Sequence, residues 1–174
     1  LEARNWLRQK AAEVRTVSPR ATIQQGPLLT NRVITGNMYL FAYDPKTKED
    51  LPYYDRFPLV FPFRRVTGGF YGINMHYLPP LLRAKLMDAL YDTINNDKMD
   101  ETTRLRINYR ILQSAAKFRF FEPCVKHYLN NHVKSRFLQV DPTQWDVALF
   151  LPLERFAKAS KLKVYADSKK KIYQ

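Results

Sequence analysis

The sequence predicts an α+β fold: a small, twisted, SH3-like β-unit packed with an antiparallel group of three helices and flanked by N- and C-terminal arms. Three observations carry that expectation. Residues 36–80 concentrate aromatics, prolines and three β-like runs at nearly balanced charge. Residues 81–140 hold three apolar stripes at helical spacing. The positive charge, a net +13 from 29 Lys+Arg against 16 Asp+Glu, lies almost wholly outside the β-unit.

At 174 residues the chain is one domain with arms. Its 45% hydrophobic and 14% aromatic content supports a real core and excludes a wholly disordered chain. The expected division is an N-terminal helix and extended arm (1–35), a single α+β domain (36–168) and a basic tail (169–174). Within the domain, 36–80 is the β-unit, 81–140 the helical part, and 141–168 a return strand with short helices. Leu1 at the first position suits a processed product or a piece of a longer chain.

In order, residues 1–16 place Trp6, Leu7, Ala11 and Val14 at helical spacing, and Ser18-Pro19 ends that helix. So short a helix is marginal alone, so Trp6 must dock on something. Residues 17–35 read as an extended arm. The first strand, 38–43, lies between the turn signals Gly36-Asn37 and Asp44-Pro45. The second, 57–65, puts Leu59, Phe61 and Phe63 on one face, and Pro58 and Pro62 confine it to an edge or a bulged path. Thr67-Gly68-Gly69 turns the chain into a third strand over 69–75.

Pro79-Pro80 opens a helix striped by Leu82, Leu86, Ala89, Leu90 and Ile94. Asp100 caps a second, with Leu105, Leu112, Ala115 and Ala116 inward and Arg104, Arg106 and Arg110 outward. A third is expected from Pro123 to Phe137, on Val125, Tyr128, Leu129 and Val133. Asp141-Pro142-Thr143-Gln144 starts a helical turn, 147–151 reads as a buried strand returning to the β-unit, and 154–160 as a short helix.

The charge implies a polyanionic partner: nucleic acid, an acidic protein surface or anionic lipid. No run approaches the roughly 18 apolar residues needed to span a bilayer, so no membrane partner is expected. Candidate polyanion contacts are Arg8, Arg15 and Arg20 in the arm, Arg64 and Arg65 on the second strand, Arg104, Arg106 and Arg110 on a helix, and Lys169, Lys170 and Lys171 in the tail. Trp6, Tyr53, Tyr54, Phe70 and Tyr71 are candidate protein-interface rings; the last four lie near loops of the β-unit, where core and seam packing is favoured over stacking on bases.

Catalytic constellations are missing. Cys124 is the sole cysteine, which excludes an intrachain disulfide and a cysteine-based metal site. His127 and His132, five apart on an expected helix, do not share a face. His76 reads as fixing the strand-to-helix corner by hydrogen bonding. Asp44, Asp50 and Asp55 surround one loop, where turn-making explains them better than a two-metal nuclease site. No Walker, dinucleotide or nucleophile-elbow motif occurs, so no cofactor, metal or small-molecule substrate is expected.

Three segments carry a resemblance: MYLFAYDPKTKEDLPYYDRFPLVFPF from Met38, GFYGINMHYLPPLLRAKLMDAL from Gly69, and WDVALFLPLERFAKASK from Trp145. Together they resemble a small virion-associated family of T-even-like contractile-tailed bacteriophages and cyanophages. The resemblance implies a non-enzymatic structural or assembly protein of the virion, put together in the host bacterial cytoplasm. Such a protein docks on other virion proteins at the neck, tail or baseplate, and its basic patches meet double-stranded DNA or acidic surfaces. The alternative it implies is a DNA end-binding protein that protects genome termini. A phage nuclease, resting on the three aspartates, is a third reading. No catalytic residue carries over.

Overall fold

Tyr39 sits at the centre of the fold, facing Val60 on one side and Gln139 on the other. The computed structural model describes residues 29–84 and 119–173. Eight strands are found there: β1 Leu29–Thr30, β2 Met38–Leu40, β3 Tyr54–Asp55, β4 Leu59–Val66, β5 Gly69–Asn74, β6 Val125–Leu129, β7 Phe137–Val140 and β8 Phe156–Ala157. Six form one antiparallel sheet in the order β1-β7-β2-β4-β5-β6, and β3 pairs with β8. The fold is therefore mixed α and β, as expected. The ladder is open, however, with β1 and β6 as its two edges rather than a closed barrel.

Period-two alternation gives the sheet two buried faces. Met38, Leu40, Leu59, Phe61, Phe63, Ile73, Leu138 and Val140 point to one. Helix α1 (Trp145–Phe150), helix α2 (Lys161–Tyr173) and a helical turn over 80–84 supply Trp145, Ala148, Leu149, Val164 and Leu82 to the same core. The other face gathers Tyr39, Phe41, Val60, Phe70, Tyr128 and Phe137. Phe41 meets Tyr128 at 5.3 Å and Phe137 at 5.0 Å edge to face, a geometry worth about 1 kcal/mol per pair beyond its buried area.

The β4–β5 hairpin follows local chemistry. Thr67-Gly68 is its two-residue loop, and Gly68 takes φ +79°, where a Cβ is disfavoured. Pro62 has no N–H to give a ladder, and the register shifts between Pro62 and Arg64. Of the two paths open to this strand, the bulged one is taken, and β4 is central rather than an edge.

Four expected elements differ. The helix expected over 123–137 is a 3-10 stretch, Arg119–Cys124, followed by β6, a 3-10 turn Asn130–His132, and β7. The free edge of β5 decides this: β6 pairs with it from Val125 to Leu129, which supplies ladder hydrogen bonds and overrides helical spacing. The strand expected over 147–151 is helix α1; a short, wholly apolar run has no period to separate the two states. Trp145 anchors α1, its indole N–H donating to the Val140 carbonyl at 2.9 Å. The helix expected over 154–160 contains β8, ended at Lys158, whose φ is 72°. Residues 169–173, expected as tail, complete α2, where Lys170 and Lys171 favour the negative end of the helix dipole.

The expected N-terminal helix, the second helix over 100–116, and Trp6, Arg8, Arg15, Arg20, Arg104, Arg106 and Arg110 lie outside the described residues.

Candidate nucleic-acid interface

The segment 31–33, the end of β4 and the β6–β7 connection meet at one end of the sheet, because β7 inserts between β1 and β2. They enclose a cleft of about 610 Å³ whose floor is Val33, Phe70 and Phe137. Its walls carry Arg32, Arg65 and Arg136, with Asn31, Asn130 and Ser135, and no carboxylate among the described residues. Three chain segments thus deliver three guanidinium groups to one polar cavity. The Arg136 Nε donates to Asn31 Oδ1 at 2.9 Å, which orients its planar fork. Arg32 and Arg65 are exposed and have no carboxylate partner among the described residues. Such an arrangement suits phosphate oxygens, which accept from guanidinium in fixed geometry.

A second concavity, of about 400 Å³, lies between the 43–55 segment and β6, with Tyr43, Tyr53, Tyr54 and Tyr77 in its walls. Lys126 reaches over the Tyr77 ring, its Nζ 4.0 Å from the centroid. Burial there lowers its pKa to about 8. Burial likewise pushes the Tyr53 hydroxyl up to about 12, and a hydrogen bond to Asp167 ties it to α2.

Of the sequence-derived candidates, Arg65 is in the first cleft, and Arg64 beside it is exposed. Lys169, Lys170 and Lys171 are exposed on the last turns of α2, and the charge of Lys171 reaches Lys126. Tyr53 and Tyr54 line the second groove. Tyr71 stacks on His127, rings 4.6 Å apart. Phe70, by contrast, is 1% exposed and packs against Phe41, Tyr128 and Phe137, so it fills core rather than presenting a face. Sequence reasoning missed Arg32 and Arg136: the first lies in a segment read as an arm, the second in a segment read as helix. Only the strand order brings them together.

The corner read at His76 is present. His76 Nδ1 lies 2.7 Å from Asp55 Oδ2, and both residues are buried. Asp55 also accepts from the backbone N–H of Phe57 and of Arg155, each at 3.0 Å, and from Asn74 Nδ2 at 3.1 Å. Burial alone would raise the Asp55 carboxyl; the His76 ring and the two backbone donors outweigh it and hold the pKa below the usual range. Asp44 instead pairs with Lys48 at 3.2 Å on the surface. Among the described residues no group of three His, Cys, Asp or Glu could hold a metal ion. Nor is any described helix long and apolar enough to cross a membrane.

Fold and cleft together define a basic α+β protein with an arginine-lined cavity. The chain belongs to the family described as phage T4 terminal DNA protecting protein, which it matches over residues 20–174. The resemblance seen in the 38–63, 69–90 and 145–161 segments is thereby borne out. No curated protein and no solved structure matches the chain.

Proposed function

We propose that this protein binds the terminus of linear double-stranded DNA and shields it, acting by occupancy rather than catalysis. The observation that carries the reading is the family match over residues 20–174, which favours the end-binding alternative over a neck, tail or baseplate role. The surface supports it: a cap must grip phosphates of any sequence, Arg32, Arg65 and Arg136 line one cavity, and Arg32 and Arg65 have no carboxylate partner among the described residues. The exposed Lys169–Lys171 run adds positive charge to the surface in this reading, and the sequence carries further basic residues before residue 29 and between 100 and 116. The protein would act in the virion or in the infected host, where DNA is its partner and other virion proteins are further candidates.

A filter-binding titration with one duplex in linear and in closed circular form tests the proposal. The linear form should be retained at lower protein concentration, with a log–log salt slope of about −2.7 or steeper for three phosphates in the cleft. Equal retention of both forms would overturn it.

A further inference from the structure

We propose that the tyrosine-walled groove between the 43–55 segment and β6 receives an unpaired nucleotide at the end of the duplex, its base stacked on Tyr54 and its phosphate met by Lys126. This rests on the end-binding reading and adds which part of the end the groove takes.

The groove's volume, about 400 Å³, is in the range of small-ligand sites. Its tyrosines differ in what they offer. Tyr77 is 5% exposed and is held edge-on by Phe156 at 5.2 Å, so it forms the floor. Tyr53 leans over Tyr77 at 6.2 Å and 35° and is tied to Asp167, so it is a fixed wall. Tyr54 is half-buried, its backbone is pinned by pairing with Ala157, and its hydroxyl lies within reach of the Lys48 charge. A ring held by its backbone and open on its side is a stacking platform.

The charge favours the same occupant. Lys126 is half-buried on the Tyr77 ring with no carboxylate partner among the described residues, and Lys46 stands exposed at the rim. Among the described residues the one carboxylate lining the groove is that of Asp55, whose two oxygens are engaged by four donors. A flat aromatic ligand bearing an anion matches these walls. An extended peptide added to the β6 edge matches less well, because the Tyr43 hydroxyl already accepts the Leu129 N–H at 2.8 Å. The lowered pKa of Lys126 agrees: a cation held there without a counter-ion gains from an arriving phosphate.

Competition titrations test this with the full chain on four DNAs of equal duplex length: blunt linear, linear with short single-stranded extensions, closed circle, and circle with a short single-stranded gap. The extension should tighten binding by the unmodified chain. Tyr54→Ala should lose roughly tenfold on the extended duplex and nothing on the blunt one, Tyr54→Phe should retain the gain, and Lys126→Met should repeat the selective loss. Far-UV circular dichroism checks that each variant is folded. Equal affinity of the unmodified chain for blunt and extended ends, or equal losses on both, overturns the proposal and leaves end binding standing; that is the result expected of a protein-docking groove. If the closed circle competes as well as the blunt duplex, end binding fails. A Tyr54-dependent preference for the gapped circle then upholds the groove by itself, and its absence overturns both.

Discussion

Replacing Asp55 by alanine should cost a large share of the protein's stability, although the side chain touches no candidate ligand. Its two oxygens accept from Phe57 N, Arg155 N, Asn74 Nδ2 and His76 Nδ1 at 2.7 to 3.1 Å, all in a buried corner. Truncation strands four donors. At the low end of about 1 kcal/mol for each unsatisfied buried group, the loss is about 4 kcal/mol. That is a large share of a typical domain's stability of about 5–15 kcal/mol. The corner also joins distant elements, since it links β3 to β5 and, through Arg155, to the segment before β8. Urea titration followed by far-UV circular dichroism should therefore show a midpoint lower by roughly 1–4 M, for slopes of about 1–3 kcal/mol per M. Asp55→Asn keeps one acceptor oxygen and should fall between alanine and the parent. A loss for Asp55→Ala below about 1 kcal/mol would refute the reasoning, because surface substitutions alone stay within about 0.5 kcal/mol.

Three further outcomes are expected. The Asp55 pKa is lowered in the folded state, so its contribution is present above the usual carboxylate range and is lost as pH falls through and below about 4; acid titration of Asp55→Asn should show a flatter limb there. Lys126 has the opposite character. Its folded pKa of about 8 lies below that of an unfolded lysine, so the unfolded chain holds more protons between the two values, and stability should rise as pH climbs from about 8 towards 10. Urea midpoints of Lys126→Met across that range should lack the rise. In the hairpin, a Cβ on Gly69 would collide with the Tyr128 carbonyl oxygen, whereas one on Gly68 meets nothing within 4 Å and suffers only from φ +79°. Melting curves should show Gly69→Ala losing about 1–3 kcal/mol or more and Gly68→Asn much less.

The legible parts of the fold are those set by neighbours in sequence. β2, β4 and β5 were marked by alternation and by Gly and Pro punctuation, and the hairpin by Thr67-Gly68. His76 could be assigned to a corner because it sits between a strand and Pro79-Pro80. What was not legible depends on partners far along the chain. Val125–Leu129 becomes β6 only because β5 leaves an edge free, and Trp145–Phe150 becomes α1 only because the sheet face beneath it needs an apolar cover. The cleft shows the same division. Arg65 was visible as a pair of arginines after an apolar strand, whereas Arg32 and Arg136 join it through the placement of β7 between β1 and β2. The buried hub at Asp55 was half visible: its turn-making was expected, its four donors were not.

Charge supplies attraction without specifying an end, so protection must be measured at the end itself. A linear duplex labelled along its length, digested in moderate salt by an exonuclease that initiates both at duplex ends and at nicks, provides that measurement, with a nicked circle of the same sequence as internal control. Saturating protein should preserve the linear duplex in proportion to termini bound and leave digestion from the nick unchanged. Arg32→Ala combined with Arg65→Ala should weaken protection and flatten its salt dependence by about 1.8 in log–log slope. Equal slowing of digestion on both substrates, or none on either, would contradict a protein that caps DNA termini.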